Sequence, residues 1–483
     1  MKVLLLSNNA PNYYNFFNAL SNKLIEDGIP VVVAVESKFA REENKLDRVE
    51  FSAVHEFSTY FSSHETDRRI LEKYSSYNLN AALLSDFERA QTYDIWGSQV
   101  DTSYYDRLKS ALLSFFENIV DSHRITHLVY ENISNTFAHF AFFVTQEKGA
   151  KYLGLGASRL PGRFVVSSDP LNDQEIERTF HEIRKGQLVV GDEIGLWADD
   201  YLSRIESITP DYMKTNGLDN LGIFKRYFRK DRISKVRSLL RHVTDSRTNS
   251  FQIGNPLRTH INLFTRNLRR RLRAKKIRSY YDRPMTGEEF LLYPLHFHPE
   301  ASTSILAGAY LDEYEVIRNI AFNLPEGVRL YVKDHVSAWA FPSVNFYKSL
   351  KSLPNVRLLA PEEDTKSLIQ RSSAVITLTS TVGYEALLMR KRVFLYGRVF
   401  YEFHKGVSVV KSPLELHDLL GEKLSKPIDW DQKYNHDFIC AYFLTTYSAS
   451  LNLLLEGREA VELAEEIHSV LVASNVFGSA PVA

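Results

Sequence analysis

Two stretches of the chain place small, polar and titratable residues directly after runs of apolar residues. The first, FLLYPLHFHPEASTS at 290–304, brings His296, His298 and Glu300 behind a buried-strand pattern. The second, TLTSTVGYEALLMRKRVFLYG at 377–397, has the same organisation. In open α/β sheets, ligands bind at the carboxyl ends of parallel strands. The two junctions therefore predict one binding edge of the kind that holds a nucleotide.

The second junction has the composition of a phosphate site. Residues 374–378 predict a strand, and residues 384–389 predict a helix with an acid in its first turn. A helix N-terminus offers unpaired N–H groups and a positive dipole end to an anion, and a glycine there permits close backbone approach. An ordinary helix cap explains the same residues equally well. The residues concerned are Ser380, Thr381, Gly383 and Glu385.

The histidines of the first junction point to one side if their strand continues, because side chains alternate along a strand. Either could bind a carboxylate or phosphate as a cation, or hydrogen-bond to it when neutral. Lys333 and His335 follow the next apolar run, LYV. The pair His296 and His298 also resembles a metal pair, but no third ligand stands at zinc spacing, so we expect no metal. Structural capping of the strand ends is the alternative for all four.

The N-terminal residues predict a βαβ unit. Lys2–Ser7 and Pro30–Glu36 have the pattern of buried strands, and the helix predicted at Tyr13–Asp27 stops at Gly28. The intervening loop SNNAPNYYN lacks the glycine fingerprint of a dinucleotide site. We therefore expect this loop, with Asn9, to line a substrate site rather than to cradle phosphates.

Further strands are predicted at 126–130 and 151–155, separated by a helix through 137–146. Glu131 ends the first of these strands, where a carboxylate can serve as a general base. An acid that merely stabilises a helix start is an equal alternative. Asp169 is a weaker base candidate because Pro170 marks a turn.

Composition indicates a globular protein with two hydrophobic cores. The chain has 483 residues, of which 44% are hydrophobic, and this length exceeds what one core usually serves. Its 59 basic and 59 acidic residues cancel, so no global field favours nucleic acid. Cys440, the single cysteine, excludes an internal disulfide. The apolar run VLLLS is too short for a signal segment or a membrane span, so we expect a cytoplasmic protein.

Local charge is concentrated between residues 225 and 278. This segment includes NLFTRNLRRRLRAKKIR, in which apolar residues recur near helical spacing among many basic ones. Such a helix could lie on the anionic inner membrane as a peripheral contact. A solvated helix between domains and a groove for a polyanionic glycan are the alternatives. No nucleic-acid motif accompanies the charge.

The ordered set LYPLHFHPE, LYVKDH, LPNVRLLAP, TSTVGYEALL and VFLYGRVFY resembles the capsular polysaccharide biosynthesis glycosyltransferases, which include transferases of CMP-activated Kdo, sialic acid and related 2-keto sugars. VLLLSNNAPNYYNFF, LVYEN and GLGASRLPGRF resemble the same family's acceptor-side domain. The resemblance covers roughly residues 1–170 and 285–405. It implies an α/β GT-B fold, in which two Rossmann-like domains face a cleft and the C-terminal one binds the nucleotide.

The resemblance also implies roles for individual residues. Lys333 and His335 converge on the donor edge, where Lys333 offers a point charge to the leaving phosphate. Arg159 and Arg163 bind a carboxylate or phosphate. Glu131 and His298 are the catalytic candidates. Where retaining Kdo transferases carry acidic residues, this chain reads GLGAS at 154–158, so a carboxylate nucleophile is missing and inverting displacement is favoured.

The predicted domains are a Rossmann-like acceptor domain at 1–205, a basic helical linker at 206–284, a nucleotide-sugar domain at 285–428 and C-terminal helices at 429–483 that cross back. The predicted function is transfer of an acidic 2-keto sugar from its CMP derivative to a glycan or lipid-linked glycan. The CMP-sugar is a substrate, and no cofactor is expected. The alternatives are a CDP-glycerol-type phosphotransferase and a non-catalytic subunit of a capsule assembly complex.

Overall fold

Apolar, β-branched runs form the strands of two separate sheets. A computed structural model of the protein describes residues 1–10, 12–93, 95, 101–208, 239–240, 249–252 and 254–477. The first unit comprises Met1–Pro170, Asp211–Leu263 and Thr446–Ala483, and the second comprises Leu171–Pro210 and Phe264–Thr445. The strands are β1 Val3–Ser7, β2 Val31–Val35, β3 Ala53–Glu56, β4 His127–Glu131, β5 Lys151–Ala157, β6 Arg163–Ser167, β7 Phe290–Pro294, β8 Arg329–Lys333, β9 Val356–Leu359, β10 Ala374–Thr377, β11 Arg392–Leu395, β12 Val407–Val409 and β13 Tyr447–Ser448.

Helices connect and cover these strands. Those of the described residues are α1 Tyr13–Glu26, α2 Lys38–Glu43, α3 Phe57–Ser63, α4 Arg68–Lys73, α5 Leu79–Leu84, α6 Phe87–Tyr93, α7 Thr102–His123, α8 Thr136–Glu147, α9 Glu175–Arg184, α10 Asp192–Ser203, α11 Pro256–Arg278, α12 Ala301–Ser304, α13 Glu313–Asn323, α14 Val344–Lys351, α15 Thr365–Arg371, α16 Thr381–Leu388, α17 Leu416–Ser425, α18 Gln432–Leu444 and α19 Gly457–Ala473. None of them is both long and apolar enough to cross a membrane.

The first sheet has the strand order β13-β6-β5-β4-β1-β2-β3. Strands β1 to β5 pair in parallel, and β1 lies between β2 and β4, where the direction of winding reverses. Strands β6 and β13 extend this sheet in antiparallel fashion. The reversal at β1 and β4 is a topological switch point, where open α/β sheets bind ligands.

The second sheet is parallel throughout, with the order β12-β11-β10-β7-β8-β9. Its switch point lies between β7 and β10. The strands are buried on both faces, and a cluster that includes Leu291, Ile317, Leu330 and Ile376 forms the core beside them. Each unit therefore has a Rossmann-like sheet. The predicted α/β class, with a Rossmann-like sheet in each of two units, is confirmed.

The N-terminal βαβ unit agrees with its prediction closely. The strands predicted at Lys2–Ser7 and Pro30–Glu36 are β1 and β2, and α1 ends one residue before Asp27. Gly28 follows with a φ of 75°, a conformation that favours glycine.

The C-terminal segment Thr446–Ala483 belongs to the first unit. Strand β13 pairs with β6, and the guanidinium of Arg163 holds the start of this segment by donating to the Oγ1 and the carbonyl oxygen of Thr446, both at 2.6 Å. Helix α19 is tied to α1 by an ion pair between Lys23 and Glu465 at 2.9 Å. Arg163, which was predicted to bind a ligand, thus binds the start of the C-terminal segment.

Two segments pack elsewhere than the predicted boundaries place them. Helices α9 and α10, predicted within a domain at 1–205, lie in the second unit against α18. Phe180 meets Tyr434 at a ring distance of 4.8 Å, and Trp197 meets Phe443 at 4.8 Å. Helix α18, predicted to cross back, stays in the second unit with them because these aromatic contacts bury its face.

Candidate functional site

The switch point of the second sheet places His296 beside the start of α16. His296 follows β7, and β10 is the next strand in the sheet. The Nε2 of His296 lies 3.2 Å from the Oγ1 of Thr377, and the Thr379 N–H donates to the same Nε2 at 3.4 Å. His296 therefore bridges the two strand ends at the place where the topology predicts a ligand.

The opposite nitrogen of His296 fixes its tautomer. Its Nδ1 lies 2.8 Å from the Oε1 of Glu313, so Nδ1 donates to the carboxylate and Nε2 accepts from Thr379. The side chain of His296 is buried. His296 is therefore a positioning residue for the loop that leads into α16 rather than a direct contact for a ligand.

Glu313, which the sequence analysis did not select, is the centre of this arrangement. Its carboxylate accepts from Tyr293 Oη at 3.1 Å and from the His296 N–H at 3.0 Å, and its Oε2 lies 3.4 Å from the Nε2 of His298. Burial alone would raise the pKa of Glu313, but hydrogen bonds from His296 and His298 outweigh burial and lower the pKa to about 2. No sequence signal separates Glu313 from the ordinary acids that open helices.

The two basic residues at the carboxyl end of β8 are Lys333 and His335. Lys333 donates to the carbonyl oxygens of Pro361 at 2.9 Å and Asp334 at 3.3 Å, and burial lowers its pKa. Burial also lowers the pKa of His335, to about 4, so its imidazole is neutral at pH 7. Lys333 thus anchors the loop after β9, which differs from the predicted free charge for a phosphate.

Asp334 lies between these two residues and is buried, and it was not among the predicted site residues. It accepts from Tyr281 Oη at 2.6 Å, Tyr347 Oη at 2.8 Å and the His335 N–H at 2.7 Å. Burial raises its pKa to about 6 despite these donors. The three hydrogen bonds hold the segment after β8 in one position.

The start of α16 lies three residues earlier than predicted. Ser380 is its N-cap and accepts from the Val382 N–H at 3.1 Å, while the Ser380 N–H donates to Thr377 Oγ1 at 3.2 Å. Thr381 is the first helical residue. The N-terminus of α16 therefore stands at the switch point, with the hydroxyls of Ser380 and Thr381 beside it.

Two residues predicted near this cradle serve the fold. Glu385 falls in the second turn of α16, where it pairs with Lys366 at 2.8 Å. A Cβ on Gly383 would stand 2.5 Å from the hydroxyl of Tyr401, which donates to the Ser380 carbonyl oxygen at 2.6 Å. The glycine is needed for this tyrosine rather than for a ligand.

Glu300 and His298 are the remaining predicted site residues of the second unit. Glu300 is the N-cap of α12, and its N–H and carboxylate interact with Thr303 and Ser302, each at 3.3 Å. It therefore caps a helix. The side chain of His298 is 22% exposed, against 5% for that of His296, so His298 is the more accessible of the two histidines.

The basic helix α11 supports the same edge from its inner side. The guanidinium of Arg270 donates to the Trp339 carbonyl oxygen at 2.8 Å, and that of Arg273 donates to the Phe341 carbonyl oxygen at 2.8 Å. Arg266 and Arg270 each lie 4.3 Å from the ring centroid of Phe341. These contacts hold the loop that follows His335.

In the first unit, Asn9 lies just beyond β1 and Glu131 is the last residue of β4, and these are the two strands of the switch point. Glu131 is partly exposed, and its Oε1 accepts from Ser134 Oγ at 2.6 Å. Burial raises the pKa of Glu131 to about 7. The Nδ2 of Asn9 is buried and has no hydrogen-bond partner among the described residues.

A second carboxyl group lies at this edge and was missed from the sequence. Glu36 follows β2, is fully buried, and accepts from Ser250 Oγ at 2.8 Å. Burial raises its pKa to about 8. Its place directly after the apolar run VVVAV could have identified it as a candidate from the sequence, because a carboxylate at the end of a buried strand is uncommon.

Arg159 follows β5 and is half-buried, and its predicted binding role stays a prediction. Gly156, in the GLGAS stretch, has no room for a longer side chain, since a Cβ there would lie 2.8 Å from Asn132 Nδ2. Among the described residues, no group of three or more His, Cys, Asp or Glu side chains is placed to hold a metal ion.

The structure thus groups His296, His298 and Glu313 with the start of α16 in the second unit, and Glu131 with Asn9 in the first. Residues 231–425 match the model of the family described as capsule polysaccharide biosynthesis protein, about two fifths of the chain and all of the second-unit site. The resemblance to this family, noted from the motifs, is confirmed.

Solved structures similar to the chain include two of Thermosulfurimonas dismutans KpsC. The beta Kdo 2,4 transferase has 15% identity and a TM-score of 0.36 over 67% of this chain and 81% of that one. The beta Kdo 2,7 transferase has 13% identity and a TM-score of 0.33 over 75% and 89%. UDP-GlcNAc 2-epimerase from Methanocaldococcus jannaschii has 11% identity and a TM-score of 0.28 over 92% and 98%. No curated protein matches the chain.

The buried contact between Glu313 and His296 leads to a prediction about stability. Replacing Glu313 by glutamine removes the charge that accepts hydrogen bonds from His296 and Tyr293 and that lies 3.4 Å from the Nε2 of His298. We expect the free energy of unfolding at pH 7 to fall by about 2 kcal/mol, the size of hydrogen bonds to a charged group. Urea unfolding followed by circular dichroism measures it. The control is Glu315→Gln on the same helix, whose partner Arg318 is exposed, and which should change stability by less than about 0.5 kcal/mol.

The pH dependence of this difference follows from the lowered pKa. A carboxylate with a depressed folded-state pKa contributes fully above its ordinary value near 4.5 and loses that contribution as the pH falls towards 2. The difference between the parent and Glu313→Gln should therefore be constant from about pH 7 to 5 and shrink below about pH 4.5. A difference that stays unchanged down to pH 2 would contradict a charged Glu313.

Proposed function

We propose that the protein is a glycosyltransferase of capsule polysaccharide synthesis that takes an acidic 2-keto sugar of the Kdo or nonulosonic type from its CMP derivative. The observation that carries this proposal is the second switch point, where the α16 N-terminus and its hydroxyls stand beside a bridging imidazole. This geometry suits a phosphate, because hydroxyl groups and the positive end of a helix dipole favour an anion. The whole arrangement lies in the segment that matches the capsule family.

His298 is the residue of this edge best suited to contact the donor. It is more accessible than His296, and the Oε2 of Glu313 lies 3.4 Å from its Nε2. A protonated imidazole can pair with the sugar carboxylate or the leaving phosphate. Glu313 orients His296 and His298 together, which makes it the positioning residue of the donor site.

Transfer to a hydroxyl also needs a base, and Glu131 is the proposed one. Its side chain is partly exposed at the first switch point, and its pKa near 7 suits a group that must accept a proton at neutral pH. Asn9 and Arg159 are proposed to bind the acceptor. The lack of space at Gly156 supports direct inverting displacement, because no carboxylate nucleophile fits at that position.

We further propose that the enzyme works in the cytoplasm, at the inner membrane, on a glycan or lipid-linked glycan. Residues 225–238 and 241–248 of the basic segment predicted to contact the membrane lie outside the described residues. Most of the basic segment that the structure describes belongs to helix α11.

The nucleotide is tested by ligand-induced stabilisation. CMP should raise the unfolding temperature more than UDP or GDP, because a ligand at a hundredfold over its dissociation constant adds about 2.7 kcal/mol. The double variant Ser380→Gly, Thr381→Val removes both hydroxyls while a glycine retains most of the cap. It should lose most of the CMP shift.

The matched control is Ser343→Gly, the serine cap of α14 in the same unit, which accepts from the Phe346 N–H. It should keep the CMP shift. Stabilisation by UDP or GDP alone would reject the CMP donor. Turnover of CDP-glycerol without turnover of CMP-sugars would favour the phosphotransferase, and CMP binding without any turnover would favour a non-catalytic subunit.

Replacing Glu131 by glutamine tests the base. Glutamine keeps the size but cannot accept a proton, so we expect transfer to fall by about a hundredfold or more, the usual contribution of a general base. In the parent, kcat/KM should rise with pH through about 7, where Glu131 loses its proton, and the variant should lack this rise.

Glu56→Gln is the control, since Glu56 ends the edge strand β3 of the same sheet and pairs with Arg41. It should retain transfer and its pH dependence. A folded Glu131→Gln variant that binds CMP and transfers at the parental rate would remove Glu131 from the mechanism and return attention to His298 or Asp169.

A further inference from the structure

Helix α11 presents an apolar stripe on its outer surface. Ile261, Phe264, Leu268 and Leu272 are 53%, 38%, 43% and 76% exposed. Their spacings of three and four residues place them on one face, because an α-helix has 3.6 residues per turn. Four large apolar side chains aligned in this way indicate a surface that meets something apolar.

Cations border the stripe. Arg269, Lys275 and Lys276 are exposed, Arg271 is half-exposed, and the sequence PLRTHINLFTRNLRRRLRAKKIR contains no acidic residue. The exposed side of α11 therefore combines an apolar centre with positively charged flanks. Long basic side chains beside an apolar strip can extend towards anionic groups while their stems cover apolar surface.

The remaining arginines of this helix are committed to the protein. Arg266, Arg270 and Arg273 face the loop at Trp339 and Phe341 through ring contacts and hydrogen bonds. Arg270 and Arg273 therefore belong to the inner face of the basic helix predicted to lie on a membrane. Only the outer set is placed to meet a partner.

We propose that the outer face of α11 docks flat on an anionic lipid bilayer, with Ile261, Phe264, Leu268 and Leu272 entering the headgroup boundary. A bilayer surface matches both features, since the stripe requires an apolar phase and the flanks require anionic headgroups. A soluble polyanionic glycan would use the cations and leave the stripe exposed. The inference shares with the proposed function its location at the membrane and needs no particular donor.

The experiment is co-sedimentation of the full chain with vesicles of phosphatidylcholine alone or mixed with phosphatidylglycerol. The parent should bind the mixed vesicles and release them as salt rises. Arg269→Gln, Lys275→Gln, Lys276→Gln should weaken that binding by about a hundredfold, because each charge near such a surface contributes about fivefold. Leu268→Ser, Leu272→Ser should weaken it with all charges retained.

Matched controls are Leu414→Ser, which alters a leucine that is 93% exposed elsewhere in the second unit, and Lys411→Gln, which alters an exposed lysine there. Both should bind like the parent. All variants should keep the parental circular dichroism spectrum and unfolding temperature.

The proposal is overturned if the parent does not sediment with mixed vesicles. It is also overturned if the leucine variant binds like the parent while the charge variant does not, since the surface would then bind polyanions without entering a bilayer. The CMP shift, measured on the same proteins without vesicles, separates these outcomes from failure of the donor assignment.

Discussion

The carboxylate of Glu313 organises the candidate donor edge. It is buried at the start of α13, and it accepts hydrogen bonds from Tyr293, from the backbone of His296 and from its imidazole. A buried charge of this kind persists only when donors surround it. Because the other nitrogen of His296 reaches Thr377 and Thr379, the pair fixes the end of β7, the end of β10 and the approach to α16 relative to one another.

Burial also changes the chemistry that the residue types suggest. Lys333 and His335 read as cations in the sequence, yet Lys333 donates to carbonyl oxygens and burial lowers the pKa of both. In the first unit, burial shifts the pKa in the opposite direction, since it raises the pKa of Glu131 and of Glu36. In each case the charged form is disfavoured because water is replaced by protein.

Helix α11 illustrates how one basic segment can serve two purposes. Its inner arginines stack on Phe341 and hold the loop after His335, whereas its outer cations flank exposed leucines. Arginine suits the inner role because its planar guanidinium can stack on a ring and donate to a carbonyl oxygen at the same time. The helix thereby joins the candidate donor edge to the surface proposed to meet a bilayer.

The sequence by itself determined the fold class, the strands and helix of the first βαβ unit, and the two junctions at His296 and Ser380. These follow from apolar periodicity and from helix caps, which are local properties. The family resemblance pointed to the capsule polysaccharide biosynthesis proteins, whose family model matches residues 231–425. Glu131 was also selected from its place at a strand end.

Only the tertiary structure decided which polar residues meet. Glu313 joins His296 and His298 from a helix start, Arg163 holds Thr446 from 283 residues away, and α9 and α10 pack on α18. The division of the α11 arginines into an inner and an outer set depended on where Trp339 and Phe341 lie. A linear pattern cannot supply these pairings, because they depend on which distant segments pack together, and that packing sets both the partners and the burial that shifts each pKa.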